Sequence, residues 1–171
     1  MRRLHSISSV VVLALLALTL AGSSTAFAQR AKNSIAVGAA FAGLPTLVQA
    51  QYETRIGDDQ SIVGRFIYGL NTNDYSGYGL GAAYRFYLTD DQPVKGLSVG
   101  PALEVLFYSN SKLVRSSRIL MIGAEGAYKL MLGQFSIEPA LSFRIGVSGG
   151  ESLSKFTSTL IYPAVYLGYA W

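Results

Sequence analysis

The chain has 171 residues, of which 50% are hydrophobic and 14% charged, with no Cys. A water-facing surface usually carries roughly 25–35% Lys, Arg, Glu and Asp, so this composition is lean for one soluble domain, and disulfide or thiol chemistry is excluded. The formal charge of +4 is weak and scattered along the chain, which argues against a nucleic-acid partner.

The first element is an export signal. Arg2 and Arg3 precede an apolar run from Val10 to Ala21, followed by small residues ending in Ala26-Phe27-Ala28. That order predicts a secretory signal peptide over 1–28 with cleavage after Ala28; the rival reading is an uncleaved membrane anchor. The remaining segment, 29–171, reads as one domain. Without Arg2 and Arg3 its charge is +2: the 14 basic residues fall to 12, against 10 acidic ones. No apolar run after residue 30 approaches the roughly 18–20 residues of a helical membrane span.

Eight segments then show a period of two, the mark of strands with unlike faces. They cover 33–42, 47–56, 61–70, 77–88, 97–108, 118–131, 134–146 and 159–171. The seventh is the plainest: Phe135, Ile137, Pro139, Leu141, Phe143 and Ile145 alternate with Ser136, Glu138, Ala140, Ser142 and Arg144. Turn chemistry separates the segments at 57–60, 71–74, 89–96, 132–133 and 148–152. Strands of this length exceed the usual five or six residues of a soluble sheet and match the roughly nine to eleven that cross a bilayer at a tilt.

The two faces decide the surroundings. One face holds large apolar residues, with aromatics near strand ends such as Phe41, Tyr68, Phe107, Tyr128 and Trp171. The other is Gly, Ala, Ser and a few charges, too sparse for a water-facing exterior. An eight-stranded barrel has an interior just wide enough for side chains, so the small face belongs inside and the large face in lipid. Closure is required because unpaired backbone in hydrocarbon costs several kcal/mol per group. The expected fold is therefore all-β, an eight-stranded antiparallel up-and-down transmembrane β-barrel. A secreted soluble barrel with an apolar pocket is the competing reading. Pro101, Pro139 and Pro163 sit mid-strand, where proline cannot donate to a ladder, and local bulges are expected there.

Signal peptide, strand count and the ending "YLGYAW" together resemble the small eight-stranded outer-membrane β-barrel proteins of Gram-negative bacteria. "GAAYRFYL", "KGLSVGPALE" and "SIEPALSFRIG" are similar to general outer-membrane barrel domains. The resemblance covers the whole of 29–171 and is specific for fold. It implies the outer membrane as location, reached through the periplasm, and a C-terminal aromatic signal read by the barrel assembly machinery, here Leu167, Tyr169 and Trp171. One departure is that the usual glycine of that signal falls at Tyr166, with Gly168 the nearest. The topology implies extracellular loops at 43–46, 71–76, 109–117 and 147–158.

The only His is His5, inside the signal segment. Ser-His and Cys-His catalysis and most transition-metal sites are thereby removed from 29–171, and so is the His on which lipid A-modifying barrels of this size depend. No cofactor is indicated, and the chain reads as a non-enzyme. Inward positions carry Glu53, Glu104, Glu125 and Glu138 with Arg65, Arg85, Lys129 and Arg144, while Arg55 lies nearer a rim. Charges in such an interior must be paired, so these eight are expected to form a lumen plug at one shared level. The functional alternative is a narrow channel or small-solute transporter. Lys112, Arg115 and Arg118, with no acid among them, are candidates for contact with lipopolysaccharide phosphates. Lipid, lipopolysaccharide and the assembly machinery are thus the expected partners of a monomer with a structural or surface-interaction role.

Overall fold

The computed structural model describes residues 31–41, 46–72, 75–88, 94–110, 115–148 and 159–171. The expected signal segment 1–28 lies outside them. Eight strands follow in chain order: β1 Asn33–Phe41, β2 Thr46–Arg55, β3 Gln60–Thr72, β4 Tyr75–Tyr87, β5 Gly96–Asn110, β6 Arg115–Leu132, β7 Phe135–Ser148 and β8 Leu160–Ala170. Each pairs with its sequence neighbours, and β8 returns to β1, so the sheet closes into an antiparallel barrel. Short turns at 56–59 and 133–134 mark one end, called here the turn end. Gly133, at φ 68°, supplies the left-handed residue that the two-residue connection needs.

The register sets the tilt. Cα partners run from Ser136 to Gly168, Ala36, Gln51, Arg65, Gly81, Glu104, Met121 and back to β7 at Gly146. One circuit of the barrel thus ends ten residues from its start. A stagger of that kind requires strands inclined at roughly 35–45° to the axis, the tilt found in closed barrels. β5 and β6, at 15 and 18 residues, are longer than a bilayer crossing requires.

Side chains divide by parity as the period of two requires. Ile35, Val37, Leu80, Leu103, Leu141, Val165 and Leu167 are exposed on the outer wall, while Ser34, Gln49, Arg65, Arg85 and Arg144 are buried inside. Aromatic rings gather near the turn end, where Trp171 stacks with Tyr169 and lies beside Tyr52, and Phe135 meets Tyr169 edge-on. A second group, including the stacked Tyr78–Phe107 pair, lies toward the opposite, loop end. Two aromatic belts bounding an apolar band are the pattern of a barrel set in a bilayer.

The bulges expected at the prolines are absent. Pro101 pairs with Ala124, Pro139 with Val165 and Pro163 with Leu141, and the register is unchanged on both sides of each. Beside Pro101 and Pro139 the ladder instead lapses on one flank, and beside Pro163 the β1–β8 pairing ends at Ala40–Ala164. The β4–β5 pairs skip from Ala83–Ala102 to Phe86–Val99, and the β6–β7 pairs skip from Ala127–Ala140 to Leu130–Ile137. A proline lacks one donor, so a gap of two Cα pairs on one side suffices and no residue need be inserted. The true register shifts lie toward the loop end, at Gly69/Thr72 and Leu120/Met121.

Candidate functional site in the barrel lumen

The interior has two zones. Toward the loop end, Leu47, Ile67, Leu106, Ile119 and Met121 pack with Ala36, Ala40, Ala164, Tyr162 and Tyr166 into an apolar cluster. Below it lies a column of charge. All eight inward ionic residues expected from the sequence enter it, each nearly inaccessible to solvent.

The column is connected. Arg144 reaches Glu104 at 2.9 Å and Glu125 at 3.0 Å. Arg65 meets Glu125 at 3.0 Å and Glu104 at 3.4 Å, and also donates to Gln51. Arg85 bridges downward, with Glu125 at 3.0 Å, Glu53 at 3.3 Å and Glu138 at 2.8 Å. At the turn end Lys129 contacts Glu53 directly and donates to Ser34. Its Nζ is also 3.1 Å from Glu138 Oε2, within ion-pair range but off the hydrogen-bonding direction. Four carboxylates therefore share four cations, and the described column is formally neutral. Gly81 makes room for it: an added Cβ there would stand 3.1 Å from Glu104 Cγ and 3.5 Å from Arg65 Cβ.

These charges do not share a level. Glu53 and Lys129 lie two and three residues from the turn-end limits of β2 and β6, whereas Arg144 lies nine residues into β7 from Phe135. The charges stand at different distances from the turn end along their strands, not all near the strand middles, and so at different heights. The result is tiers, with Glu104 and Arg144 above, Arg65 and Glu125 between, and Arg85, Glu53, Lys129 and Glu138 below.

Neutral polar groups complete the network and were not singled out in the sequence. Tyr162 donates to Glu104, Tyr87 and Ser61 donate to Glu53, and Gln51 donates to Glu138. Arg65 lies over the Tyr166 ring at 5.7 Å and Arg144 over the Tyr162 ring at 5.8 Å. The signal was available in the parity of β8, since Tyr162 and Tyr166 fall on the face opposite Ile161, Val165 and Leu167. Arg55 is bound at the rim, donating to the Gly57 carbonyl and pairing with exposed Asp58.

The other candidates lie on the outer wall or beyond the described residues. Leu167, Tyr169 and Trp171 project outward in line. Arg118 is exposed on the outer face and is the Cα partner of Phe107. The backbone of Arg115 pairs with Asn110, but its side chain and all of Lys112 lie outside the described residues. Among the described residues no group of His, Cys, Asp and Glu has the arrangement of a metal site.

No protein-family model matches the chain, and no curated protein is similar to it in sequence. Solved structures do resemble it. The Yersinia pestis outer membrane protein Ail, in a phospholipid bilayer nanodisc, aligns with a TM-score of 0.53 at 16% identity, over 83% of this chain and 100% of that one. The N-terminal β-barrel domain of Pseudomonas aeruginosa OprF aligns with a TM-score of 0.50 at 17% identity, over the same shares. The chain has the fold of the eight-stranded outer-membrane β-barrels.

Proposed function

We propose that this chain is an integral outer-membrane protein without catalytic activity, whose lumen is closed by paired charge and whose role is structural or lies in surface interaction. The neutral column of four acids and four bases carries the reading. A conducting pore needs a continuous wet path, whereas here each carboxylate is engaged by cations and an apolar cluster of described residues lies on the loop side of the column. The outer location is supported by the exposed apolar wall between two aromatic belts, and by fold likeness to outer-membrane barrels.

Two partners follow from the outer wall. Arg118, level with the loop-side belt and pointing out of the barrel, suits the phosphate of an anionic lipid such as lipopolysaccharide. Leu167, Tyr169 and Trp171 present an apolar, aromatic edge of the kind read by barrel assembly machinery.

Planar-bilayer recording of purified protein tests the central claim, with a heat-shifted gel band reporting the folded barrel. A folded protein that stays electrically silent supports the closed lumen. Steady ion-selective conductance would replace it with the channel reading.

A further inference from the structure

We infer that Val94 is an apolar stopper in the turn-end mouth of the lumen, shielding the lowest tier of charge from water on that side. The inference rests on the closed-lumen reading and says how one end of it is sealed.

Three observations converge on Val94. Its φ is 63°, a left-handed conformation that a β-branched residue adopts only as a genuine outlier. The same conformation at the β6–β7 turn is occupied by Gly133, the residue ordinarily suited to it. Yet Val94 is only 2% exposed, whereas Asp58, Asp59 and Gly133 at the other two turns face solvent. An apolar side chain held in a costly backbone conformation at a barrel rim needs a compensating burial.

Its place identifies what it covers. Val94 stands two residues before Gly96, whose Cα partner is Lys129. Lys129, Glu53, Ser34 and Ser61 all lie within three residues of the turn-end limits of their strands and are nevertheless almost wholly buried. Tyr87, on the strand before this connection, reaches Glu53 from the same end. The hairpin is held shut by the Leu88 amide, which donates to the Leu97 carbonyl at 2.8 Å. Polar residues this near a water-filled compartment stay dry beneath an apolar cover, and Val94 is placed to give it, together with Ala31, buried just before β1 on the same rim.

The chain has no Cys, so one reporter thiol can be read without interference. Ser98 is inward and buried, lies above Val94 on β5, and belongs to no ion pair among the described residues. The experiment places Ser98→Cys in the otherwise unchanged protein and in Val94→Gly and Val94→Ala backgrounds, all folded in nanodiscs. Labelling by a small charged thiosulfonate is followed, with the heat-shifted band confirming a folded barrel. Both Val94 variants should label about tenfold faster than the parent, because modification of a shielded site follows the fraction of time it is open. Equal rates in parent and variants overturn the stopper. Parallel bilayer recording separates the two claims. A silent parent with unchanged labelling rejects the stopper alone, whereas a conducting parent whose reporter labels freely rejects both it and the closed lumen.

Discussion

The ring of Tyr166 occupies the space where a side chain at Gly38 would stand, across the seam at which β8 meets β1. An added Cβ at Gly38 would overlap that ring and the Val165 carbonyl oxygen. The seam is the last pairing to close the barrel in chain order, so crowding there has no free edge into which to relax. Gly38→Ala should cost about 1–3 kcal/mol, the usual range for overpacking a filled site. Gly64→Ala is the matched control, because nothing lies within 4 Å of a Cβ added there. Refolding into phospholipid vesicles, followed by the heat-shifted band, should show the first impaired and the second unchanged. Equal behaviour would mean that the seam accommodates the methyl.

The outer wall predicts a gradient with depth. Leu141 is 56% exposed and lies mid-strand on β7, whereas Leu132, 64% exposed, ends β6 beside the turn. In water both would accept a charge readily. In a bilayer Leu141→Arg should cost roughly 2–4 kcal/mol and Leu132→Arg about 0–1 kcal/mol. Denaturant titration of the vesicle-inserted protein measures both. Two small and equal effects would return the chain to the soluble-barrel reading.

The strands were legible in the sequence because the two faces differ so sharply in size. Leu141 beside Ser142, or Phe143 beside Arg144, leaves little doubt about parity, and all eight strands fall within a few residues of their expected limits. The ionic set was legible for the same reason, since a charge on the small face of a lipid-bounded strand points inward. What was not legible depends on relations between strands. Glu53 sits two residues from the turn end of β2 and Glu104 eight residues from that of β5, an offset that shows only once the strand ends are aligned around the barrel. The apolar cluster of Ile67, Leu106 and Met121 is built from single inward positions on different strands, which periodicity along any one strand does not bring together. The prolines misled because a mid-strand proline was read as requiring an inserted residue, when a short gap in the ladder on one side is enough.

Trp171 joins a structural contact and the proposed assembly signal at one position. Its ring lies beside Tyr52 and stacks on Tyr169, and its carbonyl accepts from the Lys32 and Asn33 amides, tying β8 to the start of β1. Trp171→Ser should leave export intact and lower the amount of inserted barrel, while Trp171→Phe should retain most of it. Cell fractionation with protease protection reads both. Normal outer-membrane levels of Trp171→Ser would remove this residue from the assembly signal.

Lys129 and Glu138 allow the charge column to be tested against simple packing. Lys129 holds Glu53 and approaches Glu138, while Glu138 also holds Arg85 and accepts from Gln51. Glu138→Gln leaves Arg85 and Lys129 sharing one acid fewer, and Lys129→Met leaves Glu53 and Glu138 one cation short. Each single change should cost about 3–5 kcal/mol, the usual loss when one partner of a buried pair is removed. The double variant restores balance, with Glu53, Glu104 and Glu125 facing Arg65, Arg85 and Arg144. Its loss should therefore be smaller than the sum of the singles by about 0.5–3 kcal/mol, the range of coupling between residues in one network. Asp58→Asn, at the exposed rim pair with Arg55, should leave stability unchanged, because solvent screens such pairs. Thermal shift of the folded band measures all four variants. Additive losses from Glu138→Gln and Lys129→Met would mean that the two side chains act as independent filling, and that charge balance does not hold the column together.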